Sequence, residues 1–189
     1  MKKYGLTIAA GVTLGGSAYV ADMGMAVKAV VTTSDAWPHL GGVREYVARD
    51  IPVYALDLNV PILNRLVAAT YSTAPDRLAR APKPAAWREV SAKTTIGEGK
   101  TRLDLIPVRG EGAERMMIAH FPALNLLYAS DLLQHNRDRT SFFHLAYPAE
   151  TVAALEREDV QGVDRAWAMH MDPVAWGRVT DALAGIKAR

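Results

Sequence analysis

The chain has 189 residues, of which 22 are basic and 20 are acidic, and half of all residues are hydrophobic. This length suits one domain, and the hydrophobic content is sufficient for a buried core. The formal net charge is +2 and no basic face is evident along the sequence, so nucleic-acid binding is not predicted. The absence of cysteine excludes disulfide bonds, cysteine-ligated zinc and a cysteine nucleophile.

Two interpretations fit the N-terminal segment, residues 1–25. Met1-Lys2-Lys3 precedes an apolar run rich in Gly and Ala, which is typical of a signal peptide with its basic start. The same run could instead form a pair of short buried strands that turn at Gly15-Gly16. A signal peptide predicts a periplasmic or secreted protein, and native strands favour a cytoplasmic one. Glycines and hydroxyl side chains within the run argue against a stable membrane span.

The next part of the chain alternates short strands with helices. A β-branched apolar run at residues 26–32 predicts a strand, and an amphipathic stretch at 42–49 predicts a short helix. A second short strand is predicted at 51–55. Asp57 is a predicted N-cap, and the apolar residues after it recur at helical spacing to about Ala69.

The second half of the chain begins with a different periodicity. From Trp87 to Asp131 the hydrophobic period is two, which predicts a meander of antiparallel strands. Helical spacing returns after Pro148, an apolar run at 163–169 predicts the last strand, and residues 173–186 are predicted to form the last helix. These elements predict an α/β or α+β architecture of at least two layers.

The loop between the first predicted strand and helix carries the most informative motif. Its sequence is Thr32-Thr33-Ser34-Asp35-Ala36-Trp37-Pro38-His39-Leu40-Gly41-Gly42. It resembles the signature loop of the metallo-β-lactamase fold superfamily, in which a strand ends in Thr, a loop H-x-H-x-D-H follows, and Gly-Gly opens a helix. The four conserved motif positions fall on Ser34, Ala36, Pro38 and His39, so only His39 matches, whereas the framing residues match well.

Two later strand ends extend this resemblance. The run Leu126–Asp131 is similar to the family strand that delivers a metal-bridging Asp, with Ser130 in place of the usual Gly. The run Ala166–His170 is similar to the last family strand, which ends in the final His ligand. The family has a further His in a Gly-rich turn, and the corresponding turn here, Gly110-Glu111-Gly112, contains none. Glu111 is the nearest group that could substitute.

The resemblance covers about residues 26–186, and we assign residues 26–189 to a metallo-β-lactamase-like domain. It implies an α/β (α+β) sandwich of αββα layers with a shortened N-terminal sheet. An incomplete sandwich would expose a sheet edge and an apolar face, which favours a homodimer or a segment supplied by a longer chain.

The resemblance also implies a site for at most one metal ion, with His39, Asp131 and His170 as ligands. The first metal position of the family lacks all of its His ligands here. Two His and one carboxylate form a familiar ligand set for zinc, and manganese or iron would also fit. Asp35 and Glu111 are the candidate general bases. This interpretation predicts a hydrolase that activates water against a small-molecule ester, thioester or amide.

Two other interpretations stay open. A non-catalytic binding or structural protein would keep the fold without metals, and then His39 would close a loop, Asp131 would cap a helix and His170 would be inert. A serine mechanism that uses Ser34, Asp35 and His39 is disfavoured, because the chain has no G-x-S-x-G elbow. The polar residues 136–140, after the Asp131 strand, could contact a substrate but are more typical of a solvated loop.

Overall fold

The structure, a computed structural model, describes residues 8–10 and 26–187. The chain forms two compact units, Met1–Ser91 and Ala92–Arg189. Each unit has its own sheet and its own hydrophobic core. Only Ile8–Ala10 is described within the N-terminal segment, so the predicted turn at Gly15-Gly16 lies outside the described residues. The choice between a signal peptide and native strands stays a prediction.

The sheet of the first unit has four described strands, all parallel, in the order β1-β2-β3-β4. They are β1 (Ile8–Ala10), β2 (Ala29–Thr32), β3 (Val53–Leu56) and β4 (Trp87–Val90). β2 and β3 confirm the first two strands predicted from residue 26 onward. The prediction that Trp87 opens the antiparallel meander is wrong, because β4 pairs in parallel with β3.

Helices pack against this sheet and supply most of its core. They are α1 (Trp37–Leu40), α2 (Val43–Ala48), α3 (Val60–Ala68) and α4 (Arg77–Arg80), with a 3₁₀ turn at Asp57–Asn59 before α3. Val30, Val53 and Ala55 of the strands pack against apolar residues of the helices. α2 and α3 confirm the helices predicted from apolar spacing.

The sheet of the second unit has six described strands in the order β10-β9-β8-β7-β6-β5. They are β5 (Thr94–Ile96), β6 (Leu103–Pro107), β7 (Met117–Phe121), β8 (Leu126–Tyr128), β9 (Arg165–Ala168) and β10 (Met171–Ala175). β5 to β8 form the predicted antiparallel meander. β8 and β9 are parallel, so their carboxyl ends lie at the same edge of the sheet.

Two helices, α5 (Ala146–Arg157) and α6 (Trp176–Lys187), pack with this sheet in one core. α5 lies in the crossover that a parallel pair of strands requires. The prediction that the last helix begins at Pro173 is wrong. Pro173 lies in β10, where the pairing with β9 shifts register between Met171 and Val174. Within the described residues, the chain contains no helix long and apolar enough to cross a membrane.

Candidate metal centre

The loop after β2 holds His39 in a defined orientation. Thr32, Thr33 and Ser34 are all buried, and Ser34 is only 2% exposed. The Ser34 hydroxyl accepts a hydrogen bond from the Ala36 N–H and lies 3.3 Å from His39 Nδ1. Pro38 stands in the first turn of α1, where its missing N–H costs nothing. With Nδ1 turned to Ser34, Nε2 is the ring nitrogen of His39 that a metal ion would use.

Asp131 and His170 follow the carboxyl ends of β8 and β9. The backbone N–H of Ala129 donates to Trp167 O at 2.9 Å, and that of Met169 donates to Ser130 O at 2.8 Å. These two bonds tie the end of one strand to the end of the other, so the side chains that follow meet at one edge. His170 Nε2 lies 3.5 Å from Asp131 Oδ1. The Asp131 side chain is 17% exposed and that of His170 is 54% exposed.

The turn that separates β6 and β7 contains Gly110, Glu111 and Gly112 and has no His. A Cβ at Gly110 would lie 2.2 Å from Glu150 Cδ, and one at Gly112 would lie 2.8 Å from Tyr147 Cε1. The Gly112 N–H donates to Glu150 Oε1 at 3.0 Å. The two glycines therefore let the turn pack closely against α5. Glu111 is exposed in this turn, and it stays a predicted base that no observed contact engages among the described residues.

Asp35 belongs to the same loop as His39, in the first unit. It is half-buried and follows the buried Ser34 directly. Asp35 therefore lies in a loop that is held in shape by hydrogen bonds of Ser34, whereas Glu111 lies in a turn of the second unit. The role of Asp35 as a general base stays a prediction.

His120, which lies in β7, is a buried histidine of the second unit that is not among the proposed ligands. It is 4% exposed, and neither ring nitrogen has a hydrogen-bond partner among the described residues. Burial lowers the pKa of His120 and so favours the neutral form of the ring. Burial also opposes the ionisation of nearby Asp104. Hydrogen bonds from Arg102 and Thr95 outweigh this effect, and the pKa of Asp104 is lowered.

Ser130 is the position where the chain departs from the family Gly, and its backbone explains the family preference. Its φ angle is 50°, a left-handed conformation that costs a residue with Cβ roughly 1–2 kcal/mol. We expect Ser130→Gly to be more stable than Ser130→Ala by about 1 kcal/mol, because both variants lose the hydroxyl and only Gly relieves the strain. Urea denaturation of both variants measures this difference. Equal stability would show that the turn carries no strain.

A cavity with a volume of about 660 Å³ adjoins His170 in the second unit. Its lining comes from the β9–β10 connection, from the loop after β8 and from α6, and includes Arg137, Arg139 and Arg178. From sequence, the loop residues 136–140 were considered as a possible substrate contact, whereas Arg178 was not. The only available signal was the unusual density of arginine in that loop.

Metallo-β-lactamases are among the solved structures that share this fold. The DIM-1 metallo-β-lactamase exposed to ceftazidime matches with a TM-score of 0.69 at 12% sequence identity, covering 100% of this chain and 83% of that chain. A metallo-β-lactamase from Pontibacter korlensis matches with a TM-score of 0.62 at 14% identity, covering 92% and 75%. The rubredoxin oxygen:oxidoreductase from Desulfovibrio gigas matches with a TM-score of 0.68 at 15% identity, covering 95% of this chain and 49% of that one.

At these identities the likeness defines the fold. The protein has the metallo-β-lactamase fold, a mixed α/β architecture with two sheets, which confirms the fold class predicted from the sequence. No family model matches the sequence, and no curated protein matches it.

Proposed function

We propose that this protein is a metallo-hydrolase with a single metal ion, bound by His39, Asp131 and His170. The observation that carries the proposal is the 3.5 Å separation between Asp131 Oδ1 and His170 Nε2 at the carboxyl edge of β8 and β9. In open α/β folds, ligands bind outside the carboxyl ends of the strands, and this edge is such a position. The metallo-β-lactamase fold of the chain supports the proposal at a coarser level.

The separation of these two ligand atoms fits one tetrahedral ion. Two atoms that each lie about 2.0–2.2 Å from a tetrahedral zinc ion are about 3.3–3.6 Å apart. His39 is the proposed third ligand, through the nitrogen opposite the Ser34 contact. Ser34 and Gly112 stand where the resemblance places His ligands of a second ion, and neither offers an imidazole; Ser34 is also buried next to the His39 ring.

Other side chains would orient the ligands and accept a proton during hydrolysis. Ser34 orients the His39 ring through its contact with Nδ1, as supporting residues of metal ligands do. Asp35 or Glu111 would accept the proton of the attacking water. When bound, a zinc, manganese or iron ion supplies a Lewis acid that polarises a carbonyl oxygen. The proposed substrate is a small ester, thioester or amide.

A non-catalytic binding protein is the second candidate, and one observation favours it. The motif position occupied by a His in the family is held here by Ser34, which is 2% exposed and contacts His39 Nδ1. A buried serine–histidine contact of this kind can serve loop structure alone. In that case His39 would stabilise the loop after β2 and would bind no ion.

Metal content separates the two candidates. Protein freed of metal with a chelator and dialysed against zinc, manganese or iron(II) is expected to retain about one equivalent of one ion, measured by plasma mass spectrometry. His39→Ala, Asp131→Ala and His170→Ala should each weaken binding by roughly 100-fold or more. His144→Ala is the control, since His144 is exposed in the same unit as His170. Equal metal content in all five proteins, or none in any, would overturn the metal site.

A further inference from the structure

A second cavity lies in the first unit, and its volume is about 530 Å³. This volume is within the range of about 300–1,000 Å³ that small-molecule sites occupy. Its lining comes from α2, from the last turns of α3, from α4, and from residues 69–72, 82–85 and 87. Trp87 is the first residue of β4, whereas His39 follows the last residue of β2, which runs parallel to β3 and β4. The cavity and the His39 loop therefore lie at opposite edges of the same sheet.

Two aromatic side chains of the lining are held in place. Trp87 Nε1 donates a hydrogen bond to Asn64 Oδ1 at 2.7 Å. The guanidinium carbon of Arg44 lies 4.6 Å from the centroid of the Tyr71 ring, which is a cation–π contact. Tyr71 is nevertheless 39% exposed, so the ring stays accessible away from the face that Arg44 covers. The lining thus presents two oriented aromatic rings.

The wall of the cavity is ordered without a ligand. Arg44 is buried, and its guanidinium donates to the Asp76 carboxylate and to two backbone carbonyls at the end of α3. Three lining residues are prolines, whose rings fix the backbone φ angle: Pro75, Pro82 and Pro84. A wall that is ordered beforehand reduces the entropy that ligand binding costs.

The lining offers no unmatched charge to a ligand. Its two cations already have acidic partners, because Arg44 pairs with Asp76 and Lys83 Nζ pairs with Asp50 Oδ2. The described lining residues include no carboxylate, and most of them are apolar. A charged ligand would lose its hydration here without gaining a counter-ion. The cavity therefore favours an uncharged molecule.

A hydrogen-bond donor lies beside the Trp87 ring. The Oδ1 atom of Asn64 is occupied by the indole N–H, but the Nδ2 group carries two N–H donors. Within the part of the chain that the structure describes, these two donors bond to no other residue. An acceptor atom of a ligand would satisfy them.

We propose that this cavity binds a neutral aromatic molecule that carries a hydrogen-bond acceptor. The aromatic body would pack against the rings of Tyr71 and Trp87, and the acceptor would bond to Asn64 Nδ2. The proposal goes beyond the hydrolase activity and does not rest on it, since no proposed metal ligand lines this cavity.

Benzamide is the probe, and it is titrated into the full chain labelled with nitrogen-15. The chain has four tryptophans, so the spectrum contains four indole N–H signals, and Trp87→Phe identifies the signal of Trp87. We expect a saturable shift of this signal, with a dissociation constant of about 1 mM for so small a ligand. The signals of Trp37, Trp167 and Trp176 should stay in place.

Three compounds of similar shape test the chemical class. Benzoate and benzamidine carry a negative and a positive charge, and each should bind about fivefold more weakly than benzamide. Cyclohexanecarboxamide keeps the amide but has no aromatic ring, and it should bind about threefold more weakly. Binding of benzoate or benzamidine as tight as that of benzamide would overturn the proposal of a neutral ligand.

Two variants at exposed lining positions test the location. Tyr71→Ser removes one ring and should weaken benzamide binding about threefold. Ala68→Leu fills part of the cavity and should abolish the shift. Phe143→Ser and Ala92→Leu are the matched controls, since both positions are exposed and lie outside the lining.

Three further outcomes would overturn the proposal. One is the absence of any shift, a second is an equal shift of all four indole signals, and a third is parental binding in both lining variants. If a second copy of the chain covered the cavity instead, benzamide would not bind, and Ala68→Leu would lower the sedimentation coefficient. His170→Ala removes a proposed metal ligand and should leave benzamide binding unchanged. Failure of the metal site and failure of this cavity are therefore distinguishable.

Discussion

Replacing Asp76 with Ala is expected to lower the free energy of unfolding by about 3 kcal/mol, because it leaves the buried Arg44 without its charge partner. The Arg44 side chain is 4% exposed, and its Nε and Nη2 donate to the Asp76 carboxylate at 2.6 and 2.9 Å. Its Nη1 donates to the backbone carbonyls of Leu66 and Val67 at the end of α3. One guanidinium therefore holds α2, α3 and α4 together.

The same carboxylate also caps α4, and a second variant separates the two roles. Asp76 Oδ1 accepts a hydrogen bond from the Ala79 N–H at 2.7 Å. Asp76→Asn can keep this cap, which is worth about 1 kcal/mol, while it removes the charge. We expect Asp76→Asn to lose about two thirds as much stability as Asp76→Ala in urea denaturation. Identical losses would mean that the charge, and not the cap, accounts for the whole effect. A loss below about 1 kcal/mol in Asp76→Ala would contradict the role of the pair.

Acid should act on the same pair. The hydrogen bond from Arg44 is the largest cause that holds the pKa of Asp76 at about 2, below the ordinary value of 3.8 for an aspartate. A carboxyl whose pKa is depressed by folding contributes its stability above the unfolded pKa and loses it as the pH falls towards the folded pKa. The contribution of Asp76 is therefore present above about pH 4 and lost between about pH 4 and pH 2. Because the Asp76 side chain is 35% exposed, solvent screening reduces this contribution to stability.

The strand ends that indicated the fold could be predicted from sequence because each is a local feature. The change from apolar strand to polar loop at Thr32, and from apolar strand to Asp131, needs no knowledge of the rest of the chain. β4 was misassigned because its neighbour is set at long range, by parallel pairing of Trp87 with Val53. Pro173 was misassigned because proline is typical of both a helix start and a bulged strand, and only the register shift in β10 decides between them.

The candidate site, like the fold, was predicted only in part from the sequence. Asp131 and His170 were predicted from strand ends, and the parallel pairing of β8 with β9 explains why they meet. The cavity beside His170 was not predicted, because Arg139 and Arg178 are far apart in sequence and no periodic pattern links a loop to a helix. The absence of a His near Gly112 was visible from sequence, but the close approach of Glu150 and Tyr147 to this turn exists only in the folded chain.

Replacing Leu127 tests how strongly core packing supports β8, the strand that precedes Asp131. Its side chain is fully buried in β8, opposite His120 of β7 and Ala166 of β9. Leu127→Ala is expected to cost about 3 kcal/mol, because the removed methyl groups lose their contacts and leave a cavity among strands that cannot collapse. Leu127→Ile keeps the volume and should cost less than about 1.5 kcal/mol.

Metal binding by Leu127→Ala, measured where the variant is still folded, separates packing from site geometry. The position of Asp131 depends on the backbone hydrogen bonds from Ala129 to Trp167 and from Met169 to Ser130, which the substitution does not touch. We therefore expect lower stability with unchanged metal affinity. If affinity fell in proportion to stability, the ligand geometry would depend on side-chain packing under β8, and the backbone ties at the strand ends would not be sufficient to hold it.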